Sequence, residues 1–296
     1  MVEHLGDAGS GVLIVDETGF LKKGTKSCGV ARQYVGTAGD TVNAQVGVFL
    51  TYASKRGAAF IDRALYLPRS WTDDRARRTE AGMPVKTSFH SKIELAKQVL
   101  ARAFEADVPA AWVVADSGYG RSHAFRGWLE AQERAYVVMV PKTNAVHVAG
   151  HRQTVEKVGA RLADEDWTSI PGSAGTPSQA WACIPLAQDR APGMRRWLII
   201  RRHADDPEEM AYFVAYGPEA TTREELVRVC RIRWVIEECF AEAKGEVGLD
   251  QYEVRTWDAW HRFVTLCLLA HAVLVVVRAL ATGDATDAKK GAVLLT

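Results

Sequence analysis

Two hydrophobic rhythms alternate along the chain. Residues 11–15 (GVLIV) form a short apolar run that ends at Asp16, the pattern of a buried strand with an acid at its C-terminal end. Residues 45–52 and 58–67 repeat the strand pattern. Turn signals at Gly36, Gly39-Asp40 and Lys55-Arg56-Gly57 predict an antiparallel meander. Residues 71–87 are polar and predict loop. From Ser91 the period becomes helical. Ser91 and Glu94 stand at capping-box spacing, and Ile93, Ala96, Val99, Leu100, Ala103 and Phe104 make one stripe before Pro109. Residues 111–115 (AWVVA) predict a second buried strand ending in an acid, Asp116. A Ser117-Gly118-Tyr119-Gly120 turn, a helix over 122–132 and a strand over 135–140 follow, with Pro141 as the stop.

Beyond Pro141 the chain turns rich in Gly, Pro and Ser, with short strand-like pieces, and residues 142–218 predict a β-rich subdomain. Residues 221–247 carry one long helical pattern opened by Thr222 and Glu225, a second pair at capping-box spacing, and residues 257–280 carry another helix. The expected organisation is therefore 1–141, the first part of the main domain; 142–218, an insertion; 219–282, two helices that complete the core; and 283–296, a flexible tail.

Composition narrows the class. The 296 residues carry 37 Lys and Arg against 36 Asp and Glu, a net charge of +1, with 48% hydrophobic and 25% charged residues. These values exclude a disordered chain, a collagen and an extended coiled coil, and they leave any case for nucleic acid to local sites. The five cysteines are scattered with no C-x-x-C pair, which points to reduced cytosolic thiols rather than disulfides or a thiolate zinc site. His147 and His151 straddle Gly150 and make a poor zinc pair. The longest apolar run, residues 263–277, falls short of the roughly 18–20 residues of a spanning helix, so it predicts a buried core helix, and no membrane association is expected.

Candidate chemistry lies in three acids. Asp16 and Asp116 each end an apolar strand, where α/β sheets gather ligands. The bland reading of each is a turn residue or helix cap. A third acid belongs to RIRWVIEECFAEAK, where Arg233, Glu237 and Lys244 are spaced to share one helix face. Glu238 beside it is the alternative, and a solvated acidic face is the bland reading. A phosphatase with an aspartyl nucleophile at Asp16 would need an acid two residues on, where Thr18 stands.

The R-x3-E-x6-K pattern, together with VDETGFLKKG, GVARQYVGTAGDTVNAQVGVFL, ALYLPRSWTDDRARR, VVADSGYG and RWVIEECFAEAKGEVGLDQYEVRTWDAW, resembles the IS701 branch of the IS4-like DDE transposases over most of residues 11–278. The resemblance implies an α/β fold of the RNase H-like type, a mixed sheet flanked by helices with a β-rich insertion between the second and third acids. It implies Asp16, Asp116 and Glu237 as catalytic residues and metal ligands for two Mg²⁺, with Mn²⁺ as a substitute, and Arg233 and Lys244 as DNA contacts. The implied activity is cleavage of transposon ends and strand transfer into target DNA. The protein would be a homodimer when synapsed, in the bacterial cytoplasm at the nucleoid. Two departures stand out. Cys230 replaces a Tyr three residues before the Arg, and residues 1–5 look like the end of a helical region that precedes the first catalytic strand in the family. The second departure raises the alternative of a truncated or domesticated remnant that binds DNA without completing transposition. Chemically, three carboxylates suit a pair of hard cations that stabilise the entering and leaving oxygens of a phosphodiester displacement.

Overall fold

In the computed structural model, residues 1–148, 150–170, 179–186, 191–203 and 209–287 are described. The mixed α/β class expected from the sequence is present. Residues 1–110 with 234–296 form one compact unit, and residues 111–233 form a second.

The first unit opens with a short helix, α1 (Val2–Leu5), and is built on four antiparallel strands: β1 (Val12–Leu21), β2 (Ala31–Val35), β3 (Asp40–Ser54) and β4 (Gly57–Tyr66). β3 is the long central strand. β1 pairs along one edge, and β2 and β4 share the other end to end. The expected meander is β1, β3 and β4. β2, whose alternation of exposed and half-buried residues carries little apolar signal, was not foreseen.

β1 departs from expectation in one important way. Asp16 is not at the end of the strand but in its middle. Thr18 and Phe20 are buried in alternation, and each residue from Val12 to Leu21 has a partner on β3, so pairing continues past the acid. Gly19 marks a close approach rather than a turn, since a Cβ there would fall 2.3 Å from Cγ1 of Val35.

Helices cover both faces of this sheet. The polar 71–87 stretch contains two short ones, α2 (Arg69–Thr72) and α3 (Arg75–Glu80). On one sheet face lies α4 (Lys92–Glu105), opened by the full Ser91–Glu94 capping box and tied down by Lys92–Glu17 at 2.7 Å and Arg102–Asp62 at 2.8 Å. On the other lie α9 (Val235–Val247) and α10 (Trp257–Asp287), named in chain order after the helices of the second unit. Their common core is aromatic. Phe49 sits 5.4 Å from both Phe60 and Phe240, and Phe60 sits 4.9 Å from Phe240. Burying each such ring stabilises the unit by about 2–3 kcal/mol.

The second unit has the sheet order β5-β6-β12-β11-β10-β9. β5 (Trp112–Ala115) runs parallel to β6 (Tyr136–Val140), joined through α5 (Ser117–Gly120) and α6 (His123–Ala131). The expected β-rich stretch follows. It holds a hairpin of β7 (Ala145–Val148) and β8 (His151–Thr154), helix α7 (Val155–Gly159), and β9 (Thr168–Ile170), β10 (Gln179–Pro185), β11 (Met194–His203) and β12 (Met210–Pro218). β12 pairs antiparallel with β6, so these strands extend the sheet begun by β5.

Three expectations about the C-terminal helices need correction. The pattern over 221–247 is two helices, α8 (Arg223–Ile232) and α9, divided by a turn at Arg233-Trp234. There the Glu237 N–H bonds back to the Trp234 carbonyl at 3.0 Å, three residues away. No Gly or Pro marks the break. Thr222 caps α8, but the reciprocal half of a capping box is absent, because the Glu225 carboxylate is engaged by Arg228 and by Trp112 Nε1. Finally, α10 is not buried all round: Leu266, Leu269 and Val277 are exposed. By length and composition its Trp257–Ala281 portion could cross a membrane. Residues 288–296, most of the expected tail, lie outside the described residues.

Burial raises the thiols of Cys28 and Cys239 to about 12, consistent with inert packing groups.

Candidate active site

Side chains alternate across a strand, so Asp16, Thr18 and Phe20 project from one face of β1 and Glu17 from the other. Asp16 lies opposite Phe49 on β3, and Thr18 lies opposite Gly47. Helix α9 packs on this same face, and two contacts fix how it runs. The Phe240 ring meets Phe49 edge-on, and Lys244 Nζ donates to Thr18 Oγ1 at 3.0 Å. Going backward along α9 from Lys244 to Phe240 therefore follows β1 from the level of Thr18 to that of Asp16. Glu237 is almost one turn earlier still, two turns from Lys244 on the same side of the helix. Helix periodicity then puts Glu237 on the side of α9 that carries Lys244, toward the Asp16 end of the β1–α9 contact.

The neighbouring acids fall elsewhere. Glu237 is half-buried and Glu238 is exposed. Glu242 accepts from Arg278 at 2.8 Å and contacts His271 at 3.3 Å. Glu17 pairs with Lys92 on the opposite sheet face. Asp16 is half-buried, and its Oδ1 accepts the Glu17 backbone N–H at 2.8 Å.

Lys244 is the positive member of this face. Phe20 and Phe240 lie about 6 Å from its ammonium, at 6.0 and 5.9 Å. Burial pushes its pKa below the ordinary lysine value, with Asp250 acting in the opposite direction. Arg233 is half-buried and ends α8 in the second unit, so the helix face expected to carry Arg233, Glu237 and Lys244 is carried within α9 by the last two alone.

Asp116 belongs to the second unit, directly after β5. It is the N-cap of α5, its Oδ1 accepting from Gly118 N at 2.9 Å and Tyr119 N at 3.3 Å. The helix-cap reading weighed for it is therefore real. A carboxylate offers about four lone-pair positions, so capping and metal ligation are compatible. The turn behind it is held from both sides. A Cβ on Gly120 would lie 1.9 Å from the Met139 carbonyl oxygen, and the buried Arg126 guanidinium donates to the Gly120 carbonyl. Among the described residues, no group of three His, Cys, Asp or Glu side chains is arranged to hold a metal ion.

Thr18 and Arg126 are contacts that sequence reasoning missed. Thr18 had a signal, since it is two residues from Asp16 on a strand. Arg126 had none, being one arginine among many on a short helix. Three further polar or aromatic groups are structural. Arg196 grips Glu130 at 2.6 and 2.9 Å, Arg77 lies 3.8 Å over the Trp71 ring, and Trp260 is wholly buried with its Nε1 donating to Tyr252 Oη at 3.0 Å.

Comparison with known proteins adds the family. Residues 1–190 match the family described as DDE superfamily endonuclease, a span that includes Asp16 and Asp116. The chain is also 28% identical over 256 residues to a protein of Microchaete diplosiphon named as a probable transposase for insertion sequence element IS701. That alignment covers 82% of this chain and 60% of the relative, so the chain spans about 60% of the relative's length.

Proposed function

The chain belongs to the DDE superfamily endonuclease family, and on that premise we propose that it is the catalytic part of a DNA transposase that cleaves transposon ends and joins them to target DNA. What supports this reading is the packing of α9 on the face of β1 that carries Asp16, through the Phe240–Phe49 and Lys244–Thr18 contacts. Asp116, from the second unit, is the third carboxylate.

This donor set suits Mg²⁺, or Mn²⁺ in its place, because it is all oxygen and half-exposed, and neither histidine nor cysteine is part of it. Asp16, Asp116 and Glu237 would hold two ions. When bound, these would supply charge stabilisation to the entering and leaving oxygens of an in-line displacement at phosphorus. In cleavage, a water oxygen forms the new bond to phosphorus and the P–O3′ bond breaks, leaving a 3′-hydroxyl. In strand transfer, that hydroxyl oxygen forms the bond to a target phosphorus and a target P–O3′ bond breaks.

The chain's own residues bind and orient the DNA. Lys244, anchored by Thr18 and half-desolvated, presents a fixed positive charge to a phosphate beside Asp16, which strengthens each contact it makes. Arg233 supplies a second phosphate contact. The braced Ser117–Gly120 turn holds Asp116 in place. Two copies would synapse two ends, in the bacterial cytoplasm at the nucleoid.

The test is incubation of the purified chain with end-labelled transposon-end duplex and Mg²⁺. Nicking at the transposon boundary that requires the metal and disappears in Asp16→Asn supports the proposal. Tight binding with no nicking in Mg²⁺ or Mn²⁺ overturns it in favour of a DNA-binding remnant.

A further inference from the structure

Helix α10 is apolar on two opposite faces. Val264, Cys267, Leu268, His271 and Val275 are buried, facing β4 and α9 within the first unit. Diametrically across the helix, Leu266 and Leu269 are each 60% exposed, Val273 53%, Val277 58% and Leu280 51%. Steps of three, four, four and three residues keep these five within one narrow stripe about 21 Å long. No Asp, Glu, Lys or Arg occurs from Phe263 to Val277. A single exposed leucine needs no explanation, but a continuous apolar stripe marks an interaction surface.

We propose that this stripe is a self-association seam through which two copies of the chain pair. The 3-4 spacing is that of a helix–helix seam. The stripe is also symmetric about Val273: Leu269 and Val277 lie four residues to either side of it, and Leu266 and Leu280 lie seven. Two antiparallel copies related by a two-fold axis at Val273 therefore bring Leu266 to Leu280, Leu269 to Val277 and Val273 to itself, which an isologous interface requires. Five half-exposed aliphatic side chains leave about 500 Å² of apolar surface on each copy, and the pair reaches the roughly 1,000 Å² at which specific interfaces begin. A lipid bilayer fits less well. The Arg278–Glu242 ion pair at 2.8 Å falls between Val277 and Leu280, where a hydrocarbon core would strand it. This inference deepens the dimer reading above by giving it an interface, and it rests on that reading only for its purpose.

The test therefore contains no DNA or divalent metal, so its outcome is separate from that of the cleavage assay. Sedimentation velocity of the full chain at micromolar concentration gives a dimer. Val273→Glu places two like charges at the axis and weakens the dimer by about a hundredfold, with an unchanged far-ultraviolet circular dichroism spectrum because the position is exposed. Under mild oxidation Val273→Cys cross-links to itself, whereas Leu266→Cys cross-links only when mixed with Leu280→Cys. A wild-type monomer, a Val273→Glu variant that still dimerises, or flotation of the wild type with phosphatidylcholine–phosphatidylglycerol vesicles in place of self-association would each overturn the seam.

Discussion

Two carboxylate environments, one in each unit, differ in how completely the acid is enclosed. Glu130 in the second unit is sealed. It is 9% exposed, Arg196 grips it through two nitrogens, and the Tyr136 hydroxyl donates to it at 2.8 Å. Burial, reinforced by the neighbouring Glu130 charge, pushes the Tyr136 phenol far above its ordinary value, so the hydroxyl stays a donor. In the first unit Asp16 and Glu237 are half-buried, and Lys244 donates to the Thr18 hydroxyl on the same strand as Asp16. The contrast is one of enclosure: a sealed network around Glu130, and half-buried carboxylates at Asp16 and Glu237, to which the proposal assigns ion binding.

Removing the proposed catalytic acids should give the largest effect and the clearest split. Asp16→Asn, Asp116→Asn or Glu237→Gln is expected to lower cleavage at least about a thousandfold, equivalent to about 4 kcal/mol of barrier, with melting temperature nearly unchanged. Near-wild-type nicking by any one of them removes that residue from the assignment. Glu130→Gln should show the converse. It leaves Arg196 half-buried without its charge partner and costs about 2–4 kcal/mol of stability, read as a lowered denaturation midpoint, while cleavage per folded molecule persists. Equal loss of cleavage at unchanged stability would erase the distinction between the two environments.

Lys244 lies between these extremes. Lys244→Ala is expected to weaken binding of the end duplex about tenfold and flatten its dependence on salt. Because burial lowers the pKa of this lysine, it loses its charge at a lower pH than an exposed lysine. Wild-type binding should therefore fall as pH rises toward the ordinary lysine value, and Lys244→Arg should move that fall to higher pH. Coincident wild-type and Arg profiles would place the group off the phosphate path. The smallest effect belongs to the scaffold. Ser91→Ala removes the reciprocal cap of α4 and should cost about 1 kcal/mol, measured by chemical denaturation, with no change in cleavage.

Much of this was legible in the sequence because local physics decided it. The α4 box, the β5 strand with Asp116 at its end, and the helix over 122–132 follow from spacing and periodicity alone. What stayed hidden depends on distant residues. β1 passes through Asp16 because β3 continues to pair with it, and Gly19 serves Val35 rather than a turn. The break at Arg233-Trp234 has no Gly or Pro to announce it. The apolar run in α10 reads as core by composition, yet composition cannot say which of two opposite apolar faces meets the protein. At the candidate site the shared helix side of Glu237 and Lys244 was legible from spacing, whereas the Thr18–Lys244 contact emerged only once α9 was seen lying along β1.

Under the proposed function, Asp16, Asp116 and Glu237 share bound divalent cations. Its most direct test replaces Mg²⁺ with Fe²⁺ in the presence of the end duplex and, under peroxide and ascorbate, maps where hydroxyl radicals cut the polypeptide. Cuts are expected to cluster near residues 16, 116 and 237, to be suppressed by excess Mg²⁺ and to be lost together in Asp116→Asn. Cutting confined to one segment, or unchanged at residues 16 and 237 when Asp116 is replaced, would contradict it.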